Sequence, residues 1–222
     1  MKILAAETSG KTFSIALNDN GKTLASFIYD CGHIHSEMII PSIERILKDT
    51  GNTYRSIDAF AVSTGPGSFT GIRVGMTAVK TMAQTLNKPV IAIDSLTILE
   101  RSFTDIKGIK LVAAVDALRN EVYVKSKEGI IIKSLDGFIA QNGKYKNKVI
   151  VIGDASIVYK DKLAKSLGKL SVSLPPVFSI PKASVLGIIA QYHKPEPFSK
   201  IKPLYIRRSW AEETKNKQSA AD

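Results

Sequence analysis

Few residues in this chain have the type and spacing to do chemistry. The densest cluster is Thr64-Gly65-Pro66-Gly67-Ser68-Phe69-Thr70-Gly71-Ile72-Arg73-Val74-Gly75. A glycine-rich stretch between a strand and a helix can present backbone N–H groups and a helix N-terminus to an anion. It can equally let another backbone approach closely, since Gly71 and Gly75 fall one helical turn apart. It is not a P-loop, because no Gly-Lys-Ser/Thr follows, and its spacing is not that of a dinucleotide fingerprint. A second cluster is Glu7-Thr8-Ser9 at the end of an apolar run. A carboxylate followed by small hydroxyls there could hold a phosphate or a hydrated metal, or be a turn with a solvated carboxylate. Asp116 takes the matching place in the second half, and two acidic strand ends facing a cleft would suit nucleotide binding. Cys31, His33 and His35 are alternate residues that a strand would project on one face. They lack a fourth ligand nearby and any established zinc spacing, so no metal is expected. His193 has no visible partner, and neither His-Glu-x-x-His nor Gly-x-Ser-x-Gly occurs. No nucleophile and base assemble, which argues against a hydrolase.

The elements that must position these residues are legible in outline. Lys2–Ala6, Phe13–Leu17 and Thr23–Tyr29 read as three strands, with Asn20-Gly21 where a tight hairpin needs positive φ. A helix over Ser36–Thr50 is capped by Ser36, repeats Ile39, Ile43, Ile46 and Leu47, and ends at Gly51. Pro41 falls late for a first-turn proline and suggests a later start. Strand Ala59–Ser63, helix Ile72–Leu86 and strand Val90–Ile93 form a parallel crossover unit, and a short helix runs from Ser95 to about Phe103. The second half reads as a looser repeat: strands Leu111–Asp116, Glu121–Lys127, Ile130–Lys133 and Val149–Ile152, then helices Ser156–Leu167 and Ala183–Tyr192. Two related α/β lobes are therefore expected, residues 1–105 and 106–222, with a polar tail from about residue 209.

Composition narrows the class. The 222 residues carry 31 Lys+Arg and 20 Asp+Glu, a formal charge of +11. Residues 1–105 balance ten basic against ten acidic side chains, so the whole excess lies in 106–222. That half suggests a polyanionic partner, though charge speaks to association rather than fold. No apolar run approaches a membrane span, and an acidic residue at position 7 comes too early for a signal peptide. One cysteine fits a reducing cytosol, so a cytoplasmic protein is expected.

Ala5-Ala6-Glu7-Thr8-Ser9, His35-Ser36-Glu37, Asp58-Ala59-Phe60-Ala61-Val62 and the glycine-rich stretch closely resemble the bacterial TsaB (YeaZ) family. Asp116-Ala117, Glu121-Val122-Tyr123 and Pro203-Leu204-Tyr205-Ile206-Arg207 look like its later motifs. The resemblance implies a two-lobed actin-like, Hsp70-like and sugar-kinase-like (ribonuclease H-like) ATPase fold. It also implies a role in making threonylcarbamoyladenosine beside the anticodon of tRNA. In that system TsaB is the non-catalytic partner that binds and activates the TsaD transferase, with the TsaE ATPase resetting the complex. It implies no cofactor of its own, ATP or ADP at the interface with TsaD, tRNA met through the complex, and a homodimer as one arrangement of the free chain. Nucleotide contacts would fall on Glu7, Thr8, Ser9 and Asp116. Where the TsaD branch carries two metal-binding histidines, this chain aligns Ser95 and Leu99, neither able to hold a transition metal like that pair. Glu7 stands where the family usually has Asp, and Leu118 breaks its usual basic pair.

The helix after the glycine stretch is apolar enough to need burial in its own core or against another chain. Gly71, Val74, Gly75, Ala78, Val79 and Met82 are the expected partner surface, and Gly75→Arg is expected to break association while leaving the monomer folded. Two other classes remain alongside an interaction subunit. One is an independent nucleotide-binding enzyme, ATPase or peptidase-like; the other is a direct tRNA-binding module using the basic half.

Overall fold

The computed structural model describes residues 1–30, 35–103, 107–145, 148–168, 171–172 and 174–207. Cys31, His33, the expected lobe boundary at residue 105 and the tail from about 209 lie outside these. The first lobe is built from β1 (Lys2–Glu7), β2 (Thr12–Asp19), β3 (Lys22–Asp30), α1 (His35–Asp49), β4 (Ala59–Ser63), α2 (Phe69–Leu86), β5 (Val90–Ile93) and α3 (Ser95–Glu100). Its sheet has the order β3-β2-β1-β4-β5. The three meander strands pair antiparallel, and β4 and β5 run parallel to β1. Asn20 and Gly21 both take positive φ, as the β2–β3 hairpin requires.

The sheet is buried on both faces, which is why β1 and β4 read as unbroken apolar runs. Leu4, Ala6, Phe13, Ile15, Leu17, Phe60 and Val62 point into a core under α1 and α2. Ile3, Ala5, Ala16, Ala59 and Ala61 point the other way. Small side chains on that second face let a helix lie close. Pro41 sits inside α1 rather than before it, and the helix begins one residue ahead of Ser36, the expected cap. Proline removes one helical hydrogen bond, but the fully buried Ile39, Ile43 and Ile46 hold the helix to the sheet regardless. α2 starts three residues earlier than its periodicity suggested, because Ser68 caps it by accepting a hydrogen bond from Gly71 N at 3.2 Å.

The second half comprises β6 (Ile109–Ala113), β7 (Val115–Asp116), β8 (Glu121–Ser126), β9 (Gly129–Ser134), α4 (Leu135–Asn142), β10 (Lys148–Ile152), α5 (Ala155–Val158), α6 (Lys160–Leu167), β11 (Ser171–Val172) and α7 (Ala183–Ala190). The expected strand Leu111–Asp116 is two strands, split at Ala114. β6 joins a parallel sheet, β11-β10-β6, and β7 joins an antiparallel one, β7-β8-β9. Taken as one interrupted strand, β6 and β7 restore the first lobe's order in the second, so the repeat is real with its central strand broken. The break is held by Ala114 N donating to Ile152 O at 2.8 Å, beside Gly153. A Cβ on Gly153 would lie 2.1 Å from Ala114 O. The expected helix Ser156–Leu167 likewise divides at Tyr159 into α5 and α6. α4 has only two turns, too few to show periodicity, and did not register in the sequence.

The two halves have separate sheets but share their cores. α7 packs on the alanine-rich face of the first sheet, with Ala183, Leu186 and Ala190 buried there. Buried Asn18 donates to Ser184 O at 3.1 Å, and Ser14 Oγ accepts from Ala183 N at 2.9 Å. Leu96 and Leu99 of α3 share a core with Ala113, Val115 and Ile152, joining the lobes. Two connected α/β lobes of ribonuclease H-like order result. No helix among the described residues is long and apolar enough to cross a membrane.

Candidate functional site

The glycine stretch lies directly against the end of β1. Ser68 N donates to Ser9 O at 2.7 Å, and Thr8 Oγ1 donates to Gly71 O at 2.7 Å. From the far side, Ser95 Oγ donates to Pro66 O at 2.6 Å. A Cβ built on Gly67 would sit 2.1 Å from Ser9 O, and one on Gly71 would sit 2.1 Å from Thr8 O. On Gly75 it would sit 2.1 Å from Thr8 Oγ1. These glycines, four residues apart, clear a track along which residues 8 and 9 cross α2. Close backbone packing is the role the glycines perform here.

That geometry corrects one expectation. Gly75→Arg was to leave the monomer folded, yet Gly75 is buried against Thr8, so an arginine there attacks the fold itself.

Glu7 is likewise turned inward. Its carboxylate is 1% exposed and accepts from Ser9 N at 2.7 Å and from Ser9 Oγ at 3.3 Å. Burial raises its pKa to about 7. Asp116 Oδ1 accepts from Leu118 N at 2.9 Å and from Tyr159 Oη at 2.7 Å. Asp116 N in turn donates to Asp154 Oδ1 at 2.8 Å. Burial pushes Asp154 up to about 6, with Lys11 pulling the other way.

A cavity of about 250 Å³ lies between the lobes. Of the four expected nucleotide contacts, only Ser9 lines it; Glu7, Thr8 and Asp116 do not. Asp154 does, two residues beyond the strand expected at Val149–Ile152. Its signal was the Gly153-Asp154 pair, the second lobe's strand-end acid beside the broken central strand. The cavity's other walls are largely apolar, including Pro66, Leu99, Val115 and Ile157, with Asp30 and Asp154 set against Lys11. Two carboxylates against one cation do not suit a polyphosphate, and two of the nearby backbone donors, Ser9 N and Ser68 N, already serve Glu7 and Ser9.

A second and larger concavity, about 440 Å³, runs between α1 and α2. Val74, Ala78 and Met82, spaced four apart, form its α2 wall, with Ile39 and Ile40 opposite. Ile40 is 42% exposed, a large apolar side chain facing outward beside partly covered neighbours. The expected partner surface therefore divides. Val74, Ala78 and Met82 face the groove, whereas Gly71, Gly75 and Val79 face the core. The α1 contribution went unread, though the adjacent pair Ile39-Ile40 signalled it, since a helix cannot bury both on one narrow stripe. At the groove's end Arg73 sits 3.8 Å over the Phe69 ring and donates through Nε to Tyr205 Oη at 2.8 Å.

Ser95 and Leu99, aligned with the metal ligands of the TsaD branch, are both fully buried, and the Ser95 hydroxyl is committed to Pro66 O.

Comparison with known proteins places these features. Residues 30–196, about three quarters of the chain, match the family model described as TsaD, tRNA N6-adenosine threonylcarbamoyltransferase. The tRNA threonylcarbamoyladenosine biosynthesis protein TsaB of Bacillus subtilis (strain 168) is 26% identical over 222 residues, 96% of each chain. The protein of that name from Escherichia coli (strain K12) is 34% identical over 124 residues, 55% of this chain and 53% of its own. The solved structure of YeaZ from Pseudomonas aeruginosa superposes with a TM-score of 0.71 at 23% identity, covering 92% of this chain and 99% of that one. As the motifs of β1 and the glycine stretch implied, the chain belongs to the TsaD family, in its TsaB (YeaZ) branch.

Proposed function

We propose that the chain is an accessory, non-catalytic subunit in the biosynthesis of threonylcarbamoyladenosine on tRNA. It docks through the α1/α2 groove onto a TsaD-type transferase and acts there with a TsaE-type ATPase. The observation that carries this reading is the groove itself: an apolar, lysine-free channel on the first lobe of a chain whose sequence matches the transferase family. Homologous lobes present homologous helices, so a pseudo-symmetric pairing of α1/α2 with the transferase's counterpart follows naturally, and a homodimer would use the same face. Ser95 and Leu99 support the non-catalytic part, since a lone committed hydroxyl and a leucine cannot ligate a transition metal. The acidic balance of the interlobe cavity favours ATP or ADP being held at the shared face rather than in this chain's own cleft. The complex works in the cytoplasm and meets its tRNA as an assembly.

The test is association and reconstitution. Thr77→Arg and Ile40→Arg fill the groove from exposed positions, so both variants should keep the wild-type melting temperature. Both should lose binding to the TsaD-type transferase by gel filtration and fail to restore tRNA modification in the mixture. Binding at wild-type affinity by both variants would place the interface elsewhere. Transfer or ATP hydrolysis by the purified chain alone would sink the non-catalytic assignment.

A further inference from the structure

After α7 the chain crosses back over the first lobe. Val90 and Glu196 exchange backbone hydrogen bonds at 2.9 and 2.8 Å at the edge of β5. Ile201 is buried in the first core, and its carbonyl accepts from Lys80 Nζ at 3.0 Å. Leu204 N donates to Thr64 O at 2.9 Å, and Tyr205 Oη accepts from Arg73. Going from Lys80 to Arg73 descends about 10 Å of helix, and four extended residues from 201 to 205 span about 13 Å. The segment is therefore an extended strap running antiparallel beside α2.

Its chemistry differs from that of the groove next to it. α2 carries Arg73 and Lys80 and no acidic residue, and residues 197–207 carry Lys200, Lys202 and Arg207 and none either. Lys88 and Lys194 extend the basic run, with Glu196 the strap's own acid and Glu121 paired to Arg207. Set among these cations are exposed aromatic side chains: Phe69 at 40% and Tyr205 at 45%, with ring centroids 4.8 Å apart and the Arg73 guanidinium over one face of Phe69. Tyr192, at the start of the return, is 82% exposed. Protein interfaces are depleted in lysine at their centres, and the groove has none among its lining residues. Lysines interleaved with stacking planes are instead the chemistry of single-stranded nucleic acid, where cations follow phosphates and rings take unpaired bases. A closed duplex would leave the ring faces unused.

From this juxtaposition we infer that the strap 194–207, together with Phe69 and Arg73, is a direct contact surface for single-stranded RNA. The surface adjoins the protein groove through Arg73, which belongs to both. Part of the second half's charge excess is thereby delivered to the first lobe, beside the proposed docking face.

The experiment titrates a labelled single-stranded RNA oligonucleotide, and a duplex of the same length, with the full chain over a salt series. The single strand should bind more tightly, with a log–log salt slope of about −0.7 per phosphate contacted. Lys200→Glu combined with Lys202→Glu should shrink that slope by about 1.4. Tyr205→Ala should weaken binding by roughly 5- to 100-fold with the slope unchanged, and Tyr205→Phe should restore it. Lys160→Glu with Lys165→Glu, on exposed positions of α6, is the charge-matched control and should leave affinity within about twofold. Equal loss in the control pair, equal affinity for the duplex, or a Tyr205→Ala variant that binds normally would each overturn the inference. Melting temperatures establish that each variant is folded, and the lysine pair variant does not depend on the Tyr205 packing. Transferase binding by that variant, read separately, should be intact, so loss of RNA contact does not bear on the docking face.

Discussion

The buried carboxylate at the end of β1 makes a prediction that can be worked through. Glu7 has its pKa raised to about 7 by burial, against 4.5 in the unfolded chain. Between those values the folded state holds a proton that the unfolded state has released. Stability must then fall as pH rises across this window, and the loss is complete above pH about 7. A rise from 4.5 to about 7 corresponds to about 3 kcal/mol, most of which is lost between about pH 5 and about pH 8. Glu7→Gln removes the titration. Its amide can accept from Ser9 N and donate to Ser9 Oγ, so the contacts the acid makes with Ser9 have a counterpart. Urea unfolding of the wild type and the variant at the two pH values gives four free energies. The variant's advantage at the higher pH should exceed that at the lower by about 2–3 kcal/mol. Asp154, whose raised pKa acts in the same direction, cancels in this difference. Parallel pH profiles for the two proteins would refute the assignment of a neutral, buried Glu7.

Gly75→Ala should lower stability by about 1–3 kcal/mol in a urea titration, because its methyl group meets Thr8 Oγ1 where that hydroxyl is tied to Gly71 O. Leu118, Arg119 and Asn120 are three consecutive non-glycine residues with positive φ, and the Leu118 side chain, 68% exposed, adds little packing to offset the strain. Leu118→Gly should therefore raise stability by up to about 1 kcal/mol, seen as a higher urea midpoint with an unchanged slope.

Periodicity and punctuation made most of the first lobe legible. β4 spans the very residues its apolar run marked, and Asn20-Gly21 fixed the hairpin because few other pairs tolerate two positive φ values. Where the reading slipped, a tertiary contact had overruled a local rule. Pro41 argued for a later helix start, but three buried isoleucines outweigh one missing hydrogen bond. The run Leu111–Asp116 has no local mark of a break, since Ala114 is released by Gly153, far along the chain. At the candidate site the glycines announced themselves without saying whether they served a ligand or a neighbour. The answer lay in Thr8 and Ser9, distant in sequence and in contact in space.

By itself, then, the sequence determined the class of this protein: two related α/β lobes and a family signature in β1 and the glycine stretch. These follow from short-range patterns, namely hydrophobic period, turn chemistry and motif spacing. The tertiary structure alone decided which side of each element does what. It turned Glu7 into the core and brought Asp154 to the cleft. It split the α2 surface into a core face and an open groove, and it carried basic residues 194–207 back onto the first lobe. Facing is a property of packing between segments far apart in the chain, and no local pattern encodes it.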